Sequence, residues 1–117
     1  MRKLILAAAM LAALPARADA HAFLEHASPA VGSTVPAAPP ELALNFTEAV
    51  EPLFSAVEIL DPRGGRVDTG KPHTADDGRR LIIALPKLGP GTYTVNWHVT
   101  SVDTHKTAGR FRFTVAP

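Results

Sequence analysis

From Gly91 to Thr100 the chain sets Tyr93, Val95, Trp97 and Val99 at alternate positions, with Thr94, Asn96, His98 and Thr100 between them. A period of two belongs to a strand with one face in a core, because a helix would scatter these four apolar residues around its circumference. The only tryptophan is therefore predicted to point inward. The same alternation recurs in Glu41–Phe46, with Leu42, Leu44 and Phe46 on one face, and in 108–115, with Phe111, Phe113 and Val115 inward and Arg110, Arg112 and Thr114 outward.

Proline and glycine punctuate the rest. From Gly32 to Pro40, Pro36, Pro39 and Pro40 are expected to rule out regular pairing. Asp61-Pro62-Arg63-Gly64-Gly65 reads as a turn after a strand over 54–60, with 66–69 as a short return. A polar loop is expected over 71–78, closed by the tight turn Asp77-Gly78, and a strand follows over 80–85. With a first strand over 22–27 the total is about seven strands and no helix, which predicts an all-β sandwich or barrel of Ig-like size.

The N-terminus has a different character. Arg2 and Lys3 precede an uncharged apolar run, Leu4 to Leu14, and Ala18-Asp19-Ala20 supplies small residues at the −3 and −1 positions of a cleavage site. Pro15, Arg17 and Asp19 close the run well short of the ~20 apolar residues of a membrane span. Residues 1–20 are thus expected to be a signal peptide, leaving 21–117 as one exported domain.

Removing Arg2, Lys3, Arg17 and Asp19 turns the formal charge of +1 into a slight acidic excess, so the domain has no basic field for nucleic acid. Cysteine is absent, and both methionines, Met1 and Met10, fall in the leader. The mature domain has no sulfur ligand.

Cleavage after Ala20 would place His21 at the chain start, where its α-amine and its imidazole can hold one metal ion together. Asp103 and His105 are two apart, between the last two strands, and in an extended backbone would present an oxygen and a nitrogen to the same side. His21, Asp103 and His105 together offer three nitrogens and one oxygen, a set suited to tetragonal Cu(II) and without a soft ligand for Cu(I). His26 has the opposite parity to His21 and joins that site only through a bulge. His73 reads as solvated, His98 as outward-facing, and Glu25 and Glu48 as candidate acceptors for an imidazole N–H.

His21-Ala22-Phe23-Leu24, Ser28-Pro29-Ala30, Leu44-Asn45-Phe46-Thr47-Glu48, Gly91-Thr92-Tyr93-Thr94-Val95-Asn96-Trp97, Ser101-Val102-Asp103-Thr104-His105 and 109–115 together resemble the CopC-like periplasmic copper-binding proteins. The resemblance implies a Greek-key, cupredoxin-like β-sandwich or barrel. It implies a Cu(II) site of His21, Asp103 and His105, and an inner-membrane copper transporter of CopD type as partner. A monomer is expected. Three departures stand out: Thr104 replaces the family's common glycine, which argues for ordinary extended backbone there; His98 follows Trp97 where another polar residue is usual; and the methionine-rich Cu(I) loop is missing.

The resulting expectation is a copper-sequestering or copper-delivering protein, not an enzyme. A lytic polysaccharide monooxygenase also uses an N-terminal histidine on a β-sandwich, but needs a broad aromatic surface, and here Tyr93 and Trp97 are predicted to face the core. An Ig-like module without a metal is the remaining alternative.

Overall fold

In a computed structural model, residues 21–117 are described, and the leader and its expected cleavage site lie outside them. The strands are β1 (Leu24–Ser28), β2 (Thr34–Val35), β3 (Glu41–Phe46), β4 (Ala56–Leu60), β5 (His73–Ala75), β6 (Arg80–Ala84), β7 (Gly91–Thr100) and β8 (Lys106–Val115). They form two four-stranded sheets, ordered β1-β3-β6-β5 and β2-β8-β7-β4. The two sheets make the sandwich that the alternation and the turns predict, and repeated crossing between them gives the Greek-key connections that the resemblance implies.

The inward faces meet as expected. Leu42, Leu44, Phe46, Leu81 and Ile83 from the first sheet pack against Ile59, Val95, Trp97, Val99, Phe111 and Phe113 from the second, all buried. Trp97 meets Phe46 edge to face with ring centroids 5.2 Å apart, a favoured aromatic geometry. It also lies directly over Gly109, its partner on β8. A Cβ at Gly109 would stand 2.5 Å from Trp97 Cζ2, so no other residue fits beneath the indole without displacement. The Tyr93 hydroxyl donates to the Gly89 carbonyl at 2.7 Å and anchors the turn into β7.

Eight strands replace the expected seven: the 66–69 return is lost as a strand, β2 pairs parallel with β8 just ahead of Pro36 in the stretch where no regular pairing was expected, and β5 falls inside the segment read as a polar loop. His73, Thr74 and Ala75 pair with β6 as an edge strand, where exposed polar residues carry no apolar signature. The return over 66–69 is reduced to a single bridge, Leu60 to Arg66. The first strand begins at Leu24, two residues later than expected, and Pro52–Phe54 forms one turn of 3-10 helix ahead of β4.

The largest local difference is at Thr104. Its φ is +71°, and Ser101–His105 is a tight turn rather than extended chain. The alternation argument for Asp103 and His105 therefore does not apply. A residue with a Cβ occupies the left-handed conformation that glycine would take more readily.

Candidate metal site

Two segments far apart in sequence meet at one end of the sandwich: 21–23 at the chain's entry and 101–105 between β7 and β8. The first is a strap held from both sheets. The Phe23 N–H donates to Thr47 Oγ1 at 3.0 Å and the Thr47 N–H donates to the Phe23 carbonyl at 2.9 Å. The Thr47 hydroxyl reaches the His21 carbonyl at 3.4 Å. From the other sheet, Thr107 Oγ1 donates to the Ala22 carbonyl at 2.6 Å. Ala22 between these ties is fully buried, a small plug that fixes the strap's depth.

The second segment is tied to itself and to the chain just beyond β3. The Ser101 N–H donates to the His105 carbonyl at 2.9 Å, and the Thr104 N–H to the Ser101 carbonyl at 2.8 Å. Ser101 Oγ accepts from the His105 N–H at 3.3 Å and is itself buried. The Val102 N–H donates to the Ala49 carbonyl at 3.1 Å, and the Glu51 N–H to the Thr100 carbonyl at 2.8 Å. The run from Thr47 to Glu51 thus braces strap and turn alike, which fixes their relative position.

The outcome is a histidine pair. The imidazoles of His21 and His105 stand edge to face with centroids 4.7 Å apart, and Phe23 flanks His21 at 6.0 Å. His21 is half-buried and His105 exposed. Asp103 is exposed on the same turn as His105. Among the described residues no group of three or more His, Cys, Asp or Glu side chains is gathered closely enough to hold a metal. The structure therefore brings together His21 and His105, and not Asp103 with them.

The other histidines are elsewhere. A bulge does interrupt the β1–β3 register between Leu24 and His26, but His26 pairs with Asn45 and is exposed. His73 sits on the edge strand β5, and His98 points outward between Ala56 and Ala108. Glu25 is exposed, whereas Glu48 is half-buried in the bracing run.

Thr47, Ser101 and Thr107 are positioning residues that the sequence reading left without a role. Thr107 had a readable signal: extending the β8 alternation backwards puts it on the same inward face as Phe111 and Phe113. An inward hydroxyl at a sheet end needs a partner.

Two imidazoles at this spacing, in residues 21–117 that hold no cysteine or methionine, place a pair of nitrogen donors at one end of a small β-sandwich. The chain belongs to the CopC domain family, which matches residues 24–116, and is a copper-handling protein. It is 46% identical to Protein YobA of Escherichia coli K12 over 98 residues, covering 82% of this chain and 79% of that protein. It is 31% identical over 104 residues to the copper transport protein CutJ of Bacillus subtilis, covering 87% of this chain and 19% of CutJ. Among solved structures, CopC from Methylosinus trichosporium OB3b superposes with a TM-score of 0.76 at 38% identity, over 83% of this chain and 95% of that one. PcoC, a methionine-rich copper resistance protein from Escherichia coli, gives 0.72 at 32%, over 82% and 99%.

Proposed function

We propose that the chain, cut between Ala20 and His21, binds one Cu(II) and carries it through the periplasm to a membrane copper transporter. The His21 amine and the imidazoles of His21 and His105 supply the nitrogens. Asp103 supplies an oxygen by a side-chain rearrangement on the turn it shares with His105. The observation that carries this reading is the 4.7 Å approach of the two imidazoles, made by segments that the Thr47–Glu51 run holds in place.

The oxidation state follows from donor chemistry. Imidazole and amine nitrogens with a carboxylate suit Cu(II), and soft thiolate or thioether ligands, which suit Cu(I), are absent from residues 21–117. Delivery is supported by CutJ, a copper transport protein in which a domain similar to this one is one part of a much longer chain. Carriage rather than oxidative chemistry is supported by the burial of Tyr93 and Trp97, which keeps the only tyrosine and the only tryptophan off any polysaccharide-facing surface.

The test is a Cu(II) titration of the mature protein followed by ascorbate. One equivalent should develop a d–d band, and reduction should release the metal to a moderate Cu(I) chelator. Retention of Cu(I) would overturn the assignment of oxidation state. Sustained consumption of ascorbate and oxygen with release of oxidised sugar would overturn the assignment as a carrier.

A further inference from the structure

The outer face of the β2-β8-β7-β4 sheet has two features that copper binding does not use. The first is a basic stripe: Lys106, Arg110 and Arg112 alternate outward along β8 and are exposed. Among the described residues the ion pairs are Arg66–Glu58 at 3.3 Å and Arg80–Asp76 at 3.7 Å. The carboxylates beside the stripe are engaged, Glu58 with Arg66 and Asp61, which shares a cleft with Arg112, with the Arg63 and Gly65 N–H groups, while Arg110 donates its Nε–H to Asn96 Oδ1 at 2.9 Å. The stripe runs against the sign of the whole domain, in which acidic residues outnumber basic ones once the leader is removed. Glu41, Asp76 and Asp77 are exposed on or beside the opposite sheet.

The second feature is an apolar protrusion at the end of the stripe. Leu53 is 89% and Phe54 71% exposed, the two most exposed large apolar side chains among the described residues. Their 3-10 turn is rigidly held: Thr100 Oγ1 donates to the Phe54 carbonyl at 3.0 Å, and Ser55 Oγ to the Glu51 carbonyl at 2.7 Å. Phe54 and Lys106 line one cleft of about 360 Å³, and Arg110 lines a second of about 450 Å³. The two clefts share His98 and Ala108, so protrusion and stripe belong to one continuous surface.

We propose that this surface docks the domain on an anionic phospholipid bilayer, with Leu53 and Phe54 inserted among the headgroups and Lys106, Arg110 and Arg112 against lipid phosphates. Protruding apolar side chains beside long cationic ones are the pattern of interfacial membrane binding. An acidic protein face would match the stripe but leave Leu53 and Phe54 uncovered. The turn is already ordered, so little conformational entropy is lost on insertion. His105, the residue before Lys106, would then stand at the membrane edge. The proposal does not depend on which metal the histidines hold.

Residues 21–117 contain both sheets and the whole described core, so the mature protein can be tested alone by co-sedimentation with vesicles. It should bind vesicles of phosphatidylglycerol and phosphatidylcholine and ignore phosphatidylcholine alone. It should be released near 1 M salt, where the Debye length is about 3 Å. Each Lys or Arg near an anionic surface contributes about fivefold, so Arg110→Glu with Arg112→Glu should lose more than about 25-fold. Arg110→Lys with Arg112→Lys should retain binding, and Leu53→Ser with Phe54→Ser should weaken it at unchanged salt dependence. All three should still unfold cooperatively, and their Cu(II) affinity should be unchanged. Wild-type protein that stays in the supernatant with every vesicle, as a surface made for an acidic protein would, overturns the proposal. So does equal binding to neutral vesicles, or binding that survives both the charge reversal and the loss of the apolar pair.

Discussion

Thr107 Oγ1 donates to the Ala22 carbonyl across 2.6 Å, and this bond ties the strap bearing His21 to the strand that follows His105. It joins the start of the domain to β8 across a sequence separation of 85. Thr107→Val keeps the side chain's shape but leaves the carbonyl of buried Ala22 without this donor, a loss of about 1–3 kcal/mol. No ligand is removed. We expect a lower unfolding temperature together with Cu(II) binding weakened by up to about tenfold, equivalent to ~1.4 kcal/mol of positioning. Chelator competition on Thr107→Val and wild type measures it, and unchanged affinity would show that the strap needs no tie to β8.

His105→Ala should weaken Cu(II) binding by more than about 100-fold, beyond the range usual for losing an outer partner of a ligand. His26→Ala and His73→Ala should leave it near wild type, because His26 pairs with Asn45 and His73 with Ile82 in the first sheet, away from the strap. Asp103→Asn should have a smaller effect than His105→Ala, since an oxygen donor remains. Equal losses from the three histidine variants would mean that the metal sits elsewhere.

Trp97 and Gly109 should show strong energetic coupling. Gly109→Ala pushes a methyl to within 2.5 Å of Trp97 Cζ2 and should cost about 1–3 kcal/mol as overpacking. Trp97→Ala should cost about 3–5 kcal/mol as a cavity. In the double variant the new methyl occupies space the indole has left, so the two losses should not add. Denaturant unfolding of all four proteins gives the coupling, and strict additivity would contradict the packing of the indole on Gly109.

What could be read from the sequence followed the strength of the alternation. β7 was predicted residue for residue and β3 likewise, because each lines the core with large apolar side chains at every second position. β5 was missed because an edge strand of His73, Thr74 and Ala75 buries too little apolar surface to leave a period. The candidate site divides in the same way. His21 and His105 were legible as chemistry, but their meeting depends on pairings of Thr47 and Thr107 over long sequence separations, which no local pattern contains. Thr104 was misread because its left-handed φ is imposed by the hydrogen bonds closing on Ser101, and not by its own preference.

The geometry of the strap also makes the α-amine separately testable. Thr47 and Thr107 hold the carbonyls of His21 and Ala22 and the N–H of Phe23, and these ties remain when a residue precedes His21. A protein retaining one residue ahead of His21, such as Ala20 or a start methionine, should therefore fold as the correctly cut protein does. It differs at one atom: an amide replaces the amine, and an amide nitrogen must lose its proton before it can bind a metal. Affinity for Cu(II) should then fall by orders of magnitude, while the unfolding temperature stays the same. Protons compete for the amine and imidazole lone pairs, so binding by the cut protein should weaken as pH falls, and more protons should be displaced on binding than in the extended one. Chelator competition and calorimetry in buffers of different ionisation enthalpy compare the two forms side by side. Matching affinities and matching proton release would show that cleavage after Ala20 does not create the site, and that the His21 and His105 imidazoles act without the amine.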